Sequence, residues 1–148
     1  MDDQGPGIEL TVEEIGFFYA SLHSARDQLS GVTKMVAKEF SLGPRGPWML
    51  SLIGKQPMFP HELAVFFRVG RSLITAELDR LAGAGLIISE KNAEDGRRVE
   101  ITLTKAGQRV RQRVSEELAA LLQSRLIGFS REEILHCSTI LHAFSIVR

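Results

Sequence analysis

The stretch NAEDGRRVEITLTKAG, residues 92–107, holds the densest run of side chains able to do chemistry: Asp95, Gly96, Arg97 and Arg98 in succession. Guanidinium groups are donors only and stay charged at physiological pH, so the chemistry open to Arg97 and Arg98 is anion binding. Upstream, Arg71, Ser72, Thr75, Ala76 and Asp79 fall on one face of a helical pattern. Small, polar and basic groups in that arrangement suit contact with a phosphate backbone and with base edges.

The charge distribution agrees. The 148-residue chain has 18 Lys and Arg against 18 Asp and Glu, yet residues 68–113 carry ten basic and six acidic side chains, leaving that segment at +4 and the remainder at −4. A basic segment on an otherwise acidic chain suggests a polyanionic partner for one face. The competing interpretation is a solvated face with a chance excess of arginine.

Other chemistries find less support. The single cysteine, Cys137, forms no internal disulfide and supplies no cysteine-rich zinc site; in the last helix, beside His136, it is expected to be a buried, inert thiol rather than a sensor. His23, His61, His136 and His142 share no metal-ligand spacing, and no nucleophile elbow, phosphate-cradling glycine loop or metal-binding helix motif occurs, so neither an enzyme nor a cofactor is expected. No apolar run approaches the roughly 20 residues of a membrane span, and the acidic start MDDQGPGIEL is unlike a secretory signal, which predicts a cytoplasmic protein.

The elements that must position these residues can be read from periodicity. Thr11-Val12-Glu13-Glu14 has the form of a capping box, and Ile15, Phe18, Leu22, Ala25, Leu29, Val32 and Val36 then draw a narrow apolar seam along one long helix. Leu42-Gly43-Pro44-Arg45-Gly46-Pro47 breaks it, Trp48, Leu50, Leu52 and Ile53 form a short apolar helix, and Pro60 opens another over 60–67 with Leu63, Ala64 and Phe67 inward. After Arg68-Val69-Gly70 comes an amphipathic helix with Leu73, Ile74, Leu78 and Leu81 on one face, completing a helix-turn-helix.

Gly83 and Gly85 stop that helix. Leu86-Ile87-Ile88 and the alternating Val99-Glu100-Ile101-Thr102-Leu103 then pair as a hairpin with residues 92–98 at its tip. A helix-turn-helix followed by a basic-tipped hairpin is a winged helix. In it Arg97 suits the concentrated negative potential of a minor groove, Asp95 would pair with an arginine, and Gly96 would supply a positive φ. The alternative is an ordinary solvated turn. Thr104 caps a helix carrying Val110, Val114, Leu118, Leu121 and Leu122, Gly128 ends it, and Ser130-Arg131-Glu132-Glu133 opens a last helix with Ile134, Leu135, Leu141, Phe144 and Ile146. Such terminal helices exceed what DNA binding needs and are expected to dimerise.

Several motifs resemble those of the MarR (multiple-antibiotic-resistance type) winged-helix transcriptional regulators. Glu62-Leu63-Ala64 is similar to the family's E-L-A, and Ser72, Thr75, Asp79, Arg80 and Leu81 resemble S-x-x-T-x-x-x-D-R-L. Gly85-Leu86-Ile87 resembles G-L-V. Asp95-Gly96-Arg97-Arg98 before Leu103-Thr104-x-x-Gly107 is similar to D-x-R-R followed by L-T-x-x-G. Phe59 departs from the pattern where a capping Ser or Thr is common, Ala76 where arginine is frequent, and Glu77 where an apolar residue often lies. The first departure is expected to weaken a helix cap by about 1 kcal/mol.

The resemblance implies a mainly α fold with a small antiparallel β-hairpin wing, one domain over residues 1–148. Dimerisation helices would occupy 11–40 and 105–148, and a winged helix-turn-helix lobe 44–104. It implies a homodimer binding a pseudo-palindromic double-stranded DNA operator, with Arg71, Ser72, Thr75, Ala76 and Arg80 at DNA, Arg97 in the minor groove and Arg98 on phosphate. The commonest role of the family is repression relieved by a small molecule, for which the candidate contacts here are His23, Arg26 and Trp48. A winged-helix protein-interaction module without specific DNA binding is the alternative.

Overall fold

The computed structural model describes residues 7–145; Ile146 of the expected last helix and the first six residues of the acidic start lie outside them. Six helices and one hairpin follow one another as α1 (Val12–Glu39), α2 (Gly46–Ile53), α3 (Pro60–Phe67), α4 (Arg71–Gly83), β1 (Ile87–Lys91), β2 (Val99–Leu103), α5 (Lys105–Arg125) and α6 (Arg131–His142), with a short 3-10 turn, Ala143–Ser145, after α6. The fold is mainly helical, with β1 and β2 antiparallel and Ile87 opposite Leu103 in register.

Local sequence accounts for most boundaries. Both capping boxes form: Thr11 and Glu14 close around the start of α1, Ser130 and Glu133 around that of α6, each satisfying two otherwise unpaired backbone donors. Thr104 does two jobs at the root of the wing. Its hydroxyl donates to the Gly85 carbonyl at 2.6 Å and accepts from the Gly107 N–H at 3.0 Å, so one side chain ties the end of α4 to the start of α5. Gly107 is required because a Cβ there would collide with the Leu86 carbonyl. The Leu103-Thr104-x-x-Gly107 spacing is therefore a packing device.

One core joins the lobe: Val36 from α1, Met49, Leu50 and Ile53 from α2, Leu63 from α3, Ile74, Leu78 and Leu81 from α4, Ile101 from β2, and Val110 and Val114 from α5. Burying such side chains contributes about 1.5–3 kcal/mol each. Along α1 the apolar seam is inside only at its C-terminal end; Ile15, Phe18, Ala25 and Leu29 remain exposed, as does most of α6. Phe18 and Phe144 stack, with centroids 6.1 Å apart.

The structure departs from the sequence-based expectations at several positions. Glu77, placed on neither face in the sequence, is 2 % exposed, because it sits under the α1–α2 loop, while Leu73, expected inside, is 40 % exposed. Met49 is fully buried, whereas Trp48 beside it faces outward. Cys137 is exposed rather than buried, because it lies on α6, which has no buried residue among the described residues. Gly96 does not take a positive φ; among the described residues the positive-φ glycines are Gly85 and Gly128, just past the ends of α4 and α5.

Candidate nucleic-acid interface

The helix-turn-helix is built from α3 and α4. Arg68 closes α3 in the left-handed conformation with φ of 53°, and the Val69 N–H returns to the Ala64 carbonyl at 3.1 Å, turning the chain within three residues. At the start of α3 the expected loss of a cap is partly corrected. Phe59 has no side-chain acceptor, but its N–H donates to the Glu62 carboxylate at 2.8 Å, so half of a capping box survives. Glu62-Leu63 thus divides its work: Glu62 holds the helix start, and Leu63 is fully buried.

On α4, Ile74, Leu78 and Leu81 are buried, and Arg71, Ser72, Thr75, Ala76, Asp79 and Arg80 are all exposed. The Thr75 hydroxyl donates to the Arg71 carbonyl at 2.9 Å, so it would have to rotate to reach a base. A cleft of about 270 Å3 separates the starts of the two helices, lined by Pro60, His61, Arg71, Ile74 and Thr75. His61 belongs to this surface, although the sequence suggested it only as a discarded metal ligand. Pro60 at the first helical position was the available signal, since it places His61 in the first turn.

The wing tip is organised by side chain to backbone bonds. Asn92 Oδ1 accepts from the Glu94 and Asp95 N–H groups, both at 2.9 Å, and Asp95 Oδ1 accepts from the Arg97 N–H at 3.1 Å. The expected pairing of Asp95 with an arginine guanidinium is absent among the described residues; the carboxylate is spent on the turn itself. Arg97 and Arg98 are exposed, but they differ. The Arg98 guanidinium lies over the Phe59 ring, 4.1 Å from its centroid, whereas no partner holds the Arg97 side chain among the described residues.

The wing is fixed to the lobe at its root. Met58 and Ile101 exchange both backbone hydrogen bonds, at 3.1 and 2.8 Å, so the residue before Phe59 forms a bridge to β2. Phe59 in turn stacks nearly parallel on His61, with centroids 5.9 Å apart.

No family model and no curated protein sequence matches the chain. Solved structures do. CouR from Rhodococcus jostii RHA1, described bound to p-coumaroyl-CoA, superposes with a TM-score of 0.73 at 19% identity, over 91% of this chain and 94% of that one. A MarR-family transcriptional regulator from Rhodococcus sp. RHA1 gives 0.71 at 18% identity, over 95% and 99%. A putative MarR-family regulator from Listeria monocytogenes, complexed with a 26mer DNA, gives 0.68 at 20% identity, over 93% and 87%. The chain has the MarR winged-helix fold.

Within this MarR fold the three expected effector contacts do not share a set of partners. His23 packs tilted against Tyr19 of its own helix, at 4.5 Å between centroids, while Trp48 packs edge-on against Phe66 and Phe67 of α3. Arg26 is exposed on α1. A larger cavity, about 660 Å3, opens elsewhere, between the end of α2, β2 and α5. Lys55, Gln108 and Arg111 are among its lining residues, and His23, Arg26 and Trp48 are not. Arg111 lies across Gly54, where a Cβ would meet its side chain.

Proposed function

We propose that the protein is a dimeric, sequence-specific DNA-binding transcriptional regulator. One observation carries this reading. The exposed face of α4, with Arg71, Ser72, Thr75, Ala76 and Arg80, lies in the same lobe as a wing presenting two arginines, and neither surface is used by the core. Cations held on a helix face and an adjoining hairpin match a duplex, with the helix in the major groove and Arg97 reaching the minor groove beside it. Asp95 supports the wing by building its turn; Gly96 adds no special conformation, and a Cβ there would meet open space.

Dimerisation rests on the exposed apolar side chains of α1, α6 and the 3-10 turn after it, among them Ile15, Phe18, Leu135, Leu141 and Phe144, which a second copy would cover. In this reading residues 11–40 and 105–148 pair the subunits and residues 44–104 bind DNA. Two-fold symmetry then calls for a pseudo-palindromic operator with half-sites about one helical turn apart. The regulator acts as a repressor released by a small-molecule effector, an aromatic or anionic compound, for which His23, Arg26 and Trp48 are the candidate contacts. The CoA thioester named for CouR supports a ligand-responsive mode for this architecture. An effector must bind the DNA-incompetent state more tightly, or the equilibrium does not move.

The test is fluorescence anisotropy with duplexes enriched by the wild-type protein from a random-sequence pool, in excess non-specific competitor. Binding should survive competition and fall steeply with salt, because each neutralised phosphate releases counterions. Retention on heparin that competitor DNA abolishes would instead favour the protein-interaction module.

A further inference from the structure

Phe59 stands where a capping side chain would serve α3, and its ring carries a wing arginine instead. Both partners of that contact are held from the backbone. Phe59 follows the Met58–Ile101 bridge and donates its own N–H to Glu62. The Arg98 N–H donates to the Asp95 carbonyl at 3.0 Å, and its carbonyl accepts from the Asn92 N–H at 2.8 Å. With both backbones fixed, the guanidinium and ring meet with little rotamer entropy left to lose, which favours a cation–π contact over a transient one.

We propose that Phe59 is a positioning residue that docks the wing onto the helix-turn-helix by holding the Arg98 guanidinium. The proposal rests on the DNA-binding reading and assigns the two wing arginines different duties. Arg98 is clamped beside the start of α3, its N–H edges still exposed to an anion, and acts with that helix as a phosphate contact. Arg97, unheld, is the one free to follow the minor groove. The row continues from Phe59 to His61, which lines the cleft with Arg71 and Thr75, so the stack links the wing to the start of the recognition helix.

The experiment is a double-mutant cycle in DNA binding, on a duplex enriched by the wild-type protein. Failure of the wild type to bind any duplex at low salt would overturn the DNA-binding reading itself; the cycle is interpreted only within it. F59L keeps apolar volume but has no ring face, so a loss there is not a cavity effect. F59L and R98A should each weaken binding about three- to tenfold, and the double variant should be no weaker than R98A alone, while F59Y restores wild-type affinity. Circular dichroism melting of F59L within a few degrees of wild type confirms that the lobe is intact. Wild-type affinity in F59L, or losses that multiply in the double variant, would overturn the proposal.

Discussion

Glu77 of the recognition helix faces Arg45 of the α1–α2 loop: Oε1 lies 3.7 Å from the guanidinium, and Oε2 is buried without a hydrogen-bond partner among the described residues. Gly43 makes room for this carboxylate, since a Cβ there would strike it. The pair joins α4, the helix proposed to face DNA, to the loop that leads from α1.

A long ion pair with one half-satisfied carboxylate is a poor source of stability, because desolvation outweighs the attraction unless the remaining lone pairs are bonded. Glu77→Met should therefore be neutral or stabilising, by about 1 kcal/mol, in chemical denaturation. Arg45→Ala should cost about 1–2 kcal/mol, less than for a fully buried pair because Arg45 keeps 33% of its side chain in solvent. A strongly destabilised Glu77→Met variant would show that the carboxylate holds the loop and recognition helix together.

Arg97→Ala should weaken binding to an enriched duplex about tenfold, since the side chain has no intramolecular partner to lose and its contribution is to the complex alone. The folded protein should melt unchanged. Binding titrations at several salt concentrations separate this role from a phosphate contact. Arg98→Ala should flatten the log–log salt slope by about 0.9, as expected for one phosphate neutralised, while Arg97→Ala should alter preference among A·T-rich sequences.

Much of this architecture was legible because local rules set it. The capping boxes at Thr11 and Ser130, the cap at Thr104, the glycine stop at Gly85 and the alternation through Ile101 and Leu103 each depend on neighbours within a few residues. Side chains whose surroundings come from distant segments were not legible. Glu77 is buried by Gly43 and Arg45, more than thirty residues away in sequence, and no helical period distinguishes it from a solvated glutamate. The ring of Phe59 reads as a defective cap until β2 brings Arg98 over it. Asp95 could satisfy either a guanidinium or the turn's own N–H, and the shorter reach to Arg97's backbone won.

Acid should loosen α6 first. The Ser130 backbone N–H, and next its hydroxyl, hold the Glu133 carboxyl below the usual carboxylate range. A group with a depressed folded pKa contributes stability that is present above its unfolded pKa and lost as pH falls through the folded value. Hydrogen exchange of the α6 amides should accordingly speed up as pH drops below the ordinary glutamate range, beyond the intrinsic change in chemical exchange. Glu133→Gln should remove that excess; an identical acid response in the variant would assign it to other carboxylates.

In the proposed dimer, the apolar side chains left exposed on α1, α6 and the turn after it form the pairing surface. Ile15, Phe18, Leu141 and Phe144 are each at least 40 % exposed, and the Phe18–Phe144 stack brings the 3-10 turn after α6 against α1. A patch of this kind on a lone subunit would remain in contact with water, at about 25 cal/mol for each Å2 of apolar surface. Phe18→Asp should place a charge in the middle of any pairing surface and convert a dimer to a monomer by light scattering at micromolar concentration. Because the binding of two half-sites is cooperative only when the subunits are joined, the same variant should lose most affinity for a full duplex site while keeping that for a half-site. A wild-type protein that is monomeric at the same concentration would sink the dimer and, with it, the paired-groove geometry.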